Sequence, residues 1–169
     1  DFTLPGFFEV AFDRGYRTSS VATNVGLGFG WSHPYAWRGE RRGETFVLYD
    51  AEQSATELQL PASGETLALP YGRRIQRNGD EVRVLLDDGL TRKLRPLGER
   101  AEGGGLAYGV VEIHDRFGSL VEVEWVRGQV VAIVDTVGRR VALEGDERHK
   151  AMVCTVTGEA GQEHRRQLV

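Results

Sequence analysis

The residues able to do chemistry are few and scattered. The chain has four histidines, His33, His114, His149 and His164, and a single cysteine, Cys154. Their spacing matches no metal-ligand pattern, because a zinc site draws ligands from close pairs such as Cys-x2-Cys or His-x3-His. His33 follows Trp31 in a Gly-rich element and reads as a hydrogen-bonding structural ring. Cys154 lies between Val153 and Val156 and reads as a small buried hydrophobe. One thiol excludes an internal disulfide framework and points to assembly in a reducing compartment.

Acidic residues come in pairs: Asp87-Asp88, Glu122 with Glu124, and Asp146-Glu147. General acid-base work needs one carboxyl with a raised pKa in a dry pocket. Glu122 and Glu124 alternate with Val121 and Val123, so on a strand they share the polar face. Asp115 and Asp135 stand in Asp-x-x-Gly turns. Calcium-binding β-rolls use denser aspartates than one per turn, so these read as turn formers, with Asp bonding its own backbone and Gly taking positive φ. Gly26-Leu27-Gly28-Phe29-Gly30 lacks the spacing of a dinucleotide fingerprint and no helix follows it. Trp31, Tyr35 and Trp37 alternate; a sugar-stacking platform is the one ligand reading they allow, against a β core or an interface. No nucleophile, base and orienting group can be assembled. The expectation is a protein that is not an enzyme, with no metal and no cofactor.

The elements that carry these residues are strands. Asp115-Arg116-Phe117-Gly118, Asp135-Thr136-Val137-Gly138 and Thr155-Val156-Thr157-Gly158 recur every twenty residues, flanked by Val111, Ile113, Val121, Val123, Val131, Ile133, Val141, Leu143 and Val153. A strand-turn-strand unit cannot bury its own apolar face and must stack on its neighbours. Earlier, Thr45–Tyr49, Thr56–Leu60, Glu81–Leu86 and Leu90–Leu94 read as strands of successive hairpins. Asn78-Gly79 between two of them is the pair favoured in type I′ turns. Phe2, Leu4, Phe8, Val10 and Phe12 have the alternation of a half-buried strand, interrupted by a Pro5-Gly6 turn. Gly at alternate positions from Gly26 to Gly30 predicts an extended stretch with one flat face and one face of buried rings. The polar Gly103-Gly104-Gly105 marks a boundary or exposed loop, and Glu144–Met152 reads as a long loop. No stretch has convincing helical periodicity. The fold class is all-β: successive antiparallel hairpins forming an open curved sheet or part of a shell.

The bulk numbers agree with many short strands. The chain has 169 residues, 40% hydrophobic, with 22 glycines placed singly at turn signals. A net charge of −4 gives no support for nucleic-acid binding, which shows a basic excess. The Arg-Arg pairs at 73–74, 139–140 and 165–166 are interleaved with acids and read as solvated faces. No apolar run approaches the roughly 18 residues of a membrane-spanning helix. No signal peptide and no initiator Met are visible, so the chain reads as a piece of something longer.

The order of motifs resembles a known family. Asp1-Phe2-Thr3-Leu4-Pro5-Gly6, Phe12-Asp13-Arg14-Gly15-Tyr16 and Gly26-Leu27-Gly28-Phe29-Gly30-Trp31-Ser32-His33 resemble the opening of the core of Rhs proteins, the YD-repeat polymorphic toxins of bacteria. Phe29 stands where that family has proline. Val47–Ala51 and Val84–Gly89 are similar to its strand-Asp-x-x-Gly pieces. The turns at Asp115 and Asp135 resemble YD repeats that have lost the tyrosine. Leu4, Pro5, Gly6, Gly28, Gly30, Trp31, Asp115, Gly118, Asp135 and Gly138 are the structural motif residues this resemblance singles out. It implies an Rhs-core-like β unit over 1–97, a Gly-rich loop at 98–107, and degenerate repeats over 108–169 that continue past the chain end.

Rhs cores spiral into a hollow β-shell around a C-terminal toxin, often as cargo of type VI secretion. The resemblance therefore implies a wall segment. Its partners would be the rest of the shell, the toxin, and a secretion spike or chaperone. It would sit in the bacterial cytoplasm before export, then be secreted or delivered to a target cell. The Asp-Pro-x-Gly self-cleavage motif of the late core is absent from this sequence.

Overall fold

The structure is a computed structural model that describes residues 2–4, 10–18, 24, 25, 27–146, 151–157 and 161–168. Its elements are seventeen strands: β1 (Phe2–Leu4), β2 (Val10–Phe12), β3 (Gly15–Tyr16), β4 (Trp31–Ser32), β5 (Arg38–Arg42), β6 (Thr45–Tyr49), β7 (Ala55–Gln59), β8 (Thr66–Ala68), β9 (Arg74–Asn78), β10 (Glu81–Leu85), β11 (Thr91–Arg100), β12 (Leu106–His114), β13 (Leu120–Val126), β14 (Gln129–Val134), β15 (Arg140–Asp146), β16 (Ala151–Thr157) and β17 (Glu163–Leu168). Among the described residues there is no α-helix, as the missing 3.6-residue periodicity predicts.

Thirteen of these strands form one antiparallel sheet. From β8 to β17 each strand pairs with the next in sequence. β12 is the branch point. Its whole length pairs with β11 on one side. On the other side its first half, Leu106–Gly109, pairs with β5, and its last residues, Glu112–His114, pair with β13. β5, β6 and β7 thus leave the main sheet as a three-stranded flap. The sheet does not close into a barrel: β7, β8 and β17 each have one neighbour among the described strands.

Alternation places the core. One face carries the ladder Ile75–Val84, then Ile113–Val121, then Val123–Ile133–Val141. All of these are buried and belong to one hydrophobic cluster with Phe46, Leu48 and Leu58 of the flap. The other face carries Arg83, Lys93, Glu112 and Glu122 in cross-strand register. Lys93 and Glu112 form an ion pair there. Such period-two segregation is what drives an apolar face inward and leaves ionic pairs in water.

Three expectations are corrected. Glu144–Met152 is mostly strand, not a long loop: Glu144, Gly145 and Asp146 pair with Val153, Met152 and Ala151. Because β15 and β16 run that far, Thr155–Thr157 is also strand, and the third turn comes later than the twenty-residue spacing predicts. Gly158 lies outside the described residues. In the β9–β10 hairpin Asn78 pairs with Glu81, so the two turn residues are Gly79 and Asp80. Gly79 has φ 62 and Asp80 does not have positive φ, which is the sign pattern of type II′, not I′. Pro5, Gly6 and Phe8 lie outside the described residues, while Leu4 pairs with Val10 in the β1–β2 hairpin.

Candidate functional site

The recurring Asp-x-x-Gly turn is the most regular site in the molecule. At Asp115 and Asp135 one carboxylate oxygen accepts two backbone N–H groups, two and four residues on. The distances are 2.8 and 3.0 Å to Phe117 and Ser119, and 3.1 and 2.8 Å to Val137 and Arg139. Each Asp N–H in turn donates to the carbonyl of Ser119 or Arg139. The chain can reverse this tightly because Gly118 and Gly138 take φ of 88° and 81°.

Two further copies fall at the pieces Val47–Ala51 and Val84–Gly89, which in sequence resemble strand-Asp-x-x-Gly units. Asp50 accepts from Glu52 and Ser54 at 3.0 and 2.9 Å, and its N–H donates to the Ser54 carbonyl. Gln53 takes the place of the glycine, with φ 64. Its side chain offsets that strain by accepting from Arg38 Nε at 2.8 Å and donating to the Ala36 carbonyl at 3.2 Å. In the fourth copy Leu86 stands where the aspartate would be, its N–H directed to the Leu90 carbonyl, and Gly89 has φ 78. The signal for all four was the i to i+4 spacing between the last residue before the turn and the first after it. The Asp and Gly letters alone mark only two.

Asp135 is buried and also accepts from Arg139 Nε at 2.6 Å, whereas Asp115 is half-buried and serves only its backbone. Asp135→Ala should therefore destabilise the chain by about 2–3 kcal/mol and Asp115→Ala by about 1. Urea midpoints at unchanged slope would measure both; equal losses would refute this ranking.

The N-terminal motif residues build a different feature. Gly28 and Gly30 have positive φ, and Gly28 N–H donates to Asn24 Oδ1 at 3.0 Å. A Cβ on Gly30 would lie 2.8 Å from the Tyr16 ring and 3.2 Å from the Arg17 carbonyl, so only glycine fits. This corrects the expected extended stretch: the segment turns, Phe29 is 65% exposed, and Gly26 lies outside the described residues. Trp31 pairs with Tyr16 across β3 and β4, their rings edge to face at 5.3 Å, and Arg14 lies over the indole at 5.4 Å. Tyr35 and Trp37 are buried, the latter beneath the Arg92 guanidinium at 4.9 Å, so the three aromatics do not form a sugar platform.

His33 is buried, stacked on Phe12 at 5.2 Å. Desolvation lowers its pKa from 6.5 to about 4, against a smaller opposing effect of the Val25 carbonyl. It is neutral at pH 7, with Nε2 facing that carbonyl at 3.3 Å. Glu40 is buried beneath the Gly103–Gly105 turn. It accepts from Arg42 Nε at 2.6 Å and Gly105 N–H at 2.9 Å. The Arg42 hydrogen bond, outweighing burial, holds its carboxyl below the usual glutamate range. Asp88 is tied to Arg92, and Glu124 to Arg140. These polar side chains are engaged in holding turns and strands. No three His, Cys, Asp or Glu converge to hold a metal ion among the described residues.

The branch in the sheet is closed by one backbone carbonyl and one side chain. At Val110, where β5 and β13 part, the N–H donates to the Trp37 carbonyl at 2.9 Å, and the carbonyl accepts the Trp125 indole N–H at 2.6 Å. The same indole covers Gly109, where a Cβ would lie 2.6 Å from it. Both orphan backbone groups of the fork are thereby satisfied, as burial requires.

A family profile described as "Domain of unknown function (DUF6531)" matches residues 1–58, the stretch from β1 into β7. No curated protein matches the chain.

Proposed function

We propose that this chain is a wall segment of an Rhs-type β-shell that encloses a C-terminal toxin for delivery between bacteria. Its role is structural and not catalytic. The observation that carries the reading is the run from β8 to β17: ten strands, each paired with its successor, with a one-sided core and an unpaired edge at β17 among the described residues. A sheet of this kind gains stability by adding further courses at its edge, because that edge presents a row of unmatched N–H and C=O groups. The order of motifs from Leu4-Pro5-Gly6 through Gly30-Trp31 to the Asp-x-x-Gly turns supports the Rhs assignment.

The partners on this reading are the remaining shell strands and the enclosed toxin. The test is to read the coding region that follows Val169 and image its product by electron microscopy. Continued strand repeats, a variable tail and a hollow particle are the expected result. A solid particle, or no further strand repeats, would overturn the proposal.

A further inference from the structure

We propose that Asn78 is a modification site: its side-chain amide is displaced by the next backbone nitrogen, the residue becomes isoaspartate, and the clasp between the β9–β10 and β5–β6 turns loosens. The chemistry is independent of the shell assignment.

The reaction needs a carboxamide free to turn, a following residue without a Cβ, and backbone able to leave its extended form. The Gly79 nitrogen attacks Cγ of Asn78 and a C–N bond forms. The proton on that nitrogen leaves with the displaced NH2 group as ammonia. Water then opens the five-membered succinimide. Cleavage on the Cγ side gives aspartate. Cleavage on the main-chain carbonyl side gives isoaspartate, whose backbone runs through the former side chain and is one methylene longer. Water is the co-reactant, and nothing is oxidised or reduced. Either product puts a carboxylate where a neutral amide stood.

The chain has two asparagines, and the structure separates them. Asn24 Oδ1 accepts the Gly28 N–H at 3.0 Å, and the residue that follows Asn24 is β-branched, fully buried Val25. Asn78 is exposed, as are Gly79 and Asp80 after it, and its carboxamide has no hydrogen-bond partner among the described residues. Where a Cβ of Gly79 would stand there is open space. Asp88-Gly89 also carries the glycine, but the Asp88 carboxylate is tied to Arg92 and to the Leu90 N–H, and an ionised carboxylate is a poor electrophile. Two features slow the reaction at Asn78. It ends β9, paired with Glu81, and extended backbone keeps its carboxamide away from the next nitrogen. The Gly79 N–H also donates to Ser63 Oγ at 2.8 Å. Ring closure therefore waits for local opening of the exposed hairpin tip.

This tip is where the sheet is clasped to the flap. Arg77 Nε donates to the Gly79 carbonyl at 3.0 Å, and its Nη1 donates to Glu44 at 2.6 Å. Arg41 donates to Asp80 at 3.1 Å and to Glu44 at 3.2 Å. Glu44 stands in the turn between β5 and β6. A longer main chain at residue 78 displaces the Gly79 carbonyl and Asp80, and its new carboxylate competes for the same two arginines. Glu44 and Asp80 are exposed, so the clasp depends on its geometry and not on buried charge.

The test ages the whole chain at 37 °C, at pH 8 and at pH 5. Peptic peptides, cut in acid to prevent conversion during digestion, are read by mass spectrometry, and isoaspartate is counted by enzymatic transfer of a labelled methyl group. Conversion confined to Asn78 is expected, about tenfold or more faster at pH 8, because base removes the amide proton. Ser63→Ala should speed it about threefold, since loss of one exposed hydrogen bond frees the nitrogen. Asn78→Gln should abolish it, because the larger ring closes slowly. Amide hydrogen exchange at residues 41–45 and 77–81 should quicken in the aged protein and not in aged Asn78→Gln. An Asn78 left intact after months at pH 8, conversion of Asn24 first, an unchanged rate in Ser63→Ala, or unaltered exchange at residues 41–45 in the modified protein would each overturn the proposal.

Discussion

Gly39→Ala should destabilise the chain by about 3 kcal/mol, although it adds one methyl group to a strand. Gly39 pairs with Leu48 on β6 and Tyr108 on β12, at the centre of the flap junction. Its missing side chain is the space into which the Phe46 ring is packed. A Cβ there would stand 2.7 and 3.0 Å from Cε1 and Cε2 of that ring, and closer still to Cζ. Phe46 cannot yield easily: it is fully buried and meets Tyr108 edge to face at 5.2 Å. The cost is overpacking, so it should be reversible by removing volume opposite. Phe46→Leu alone should cost about 1–2 kcal/mol, and the double variant should be more stable than the sum of the two losses implies. Chemical denaturation of the four proteins closes the cycle. Simple additivity would show that Gly39 matters for its backbone and not for the ring above it.

Acidification should loosen the N-terminal part of the core at a pH above the one at which the buried Glu40 carboxyl takes up its proton. His33 has a folded pKa of about 4 against 6.5 when unfolded, because its ring is buried against Phe12 and Tyr35. Between these values the unfolded chain takes up a proton that the folded chain refuses. Stability is therefore full above pH 6.5, falls as pH drops, and has lost its whole His33 contribution below about 4. Two and a half pKa units amount to about 3 kcal/mol, of which about 2 is lost between pH 7 and pH 5. Glu40 acts in a lower window: its contribution is present above the ordinary glutamate pKa and disappears as pH falls through its depressed folded value. Thermal unfolding at pH 7 and pH 5 isolates the histidine. His33→Phe should flatten that dependence, and an unchanged slope in the variant would assign it to another group.

The strands themselves were legible because their information is local. Val82 and Val84 alternate with Glu81 and Arg83, and the observed β10 buries the valines and leaves Arg83 on the outer face with its acid partner. Glu122 and Glu124 are exposed opposite buried Val121 and Val123, as period two demands. The Asp115 and Asp135 turns were visible for the same reason: each is built from hydrogen bonds spanning at most four residues. Thr155–Thr157 reads as a turn from sequence because nothing local distinguishes a strand that ends before Thr-Val-Thr-Gly from one that continues into it. Cross-strand pairing with Arg140, Val141 and Ala142 made that decision.

The roles of single aromatic and charged residues were not legible. Trp37 and Tyr35 looked like candidates for a stacking surface and are core. Phe29 looked like core and is exposed. Trp125 drew no attention and closes the fork at Val110. Sequence fixes which side chains share a face of a strand, because the backbone period is set by covalent geometry. It is silent on what covers that face, since the covering strand comes from far along the chain. The branch at β12 and the burial of His33 and Glu40 both arise from such distant pairings. Their energies depend on solvent exclusion and on neighbours far along the chain, as between Glu40 and Gly105, 65 residues apart, and no local pattern encodes either.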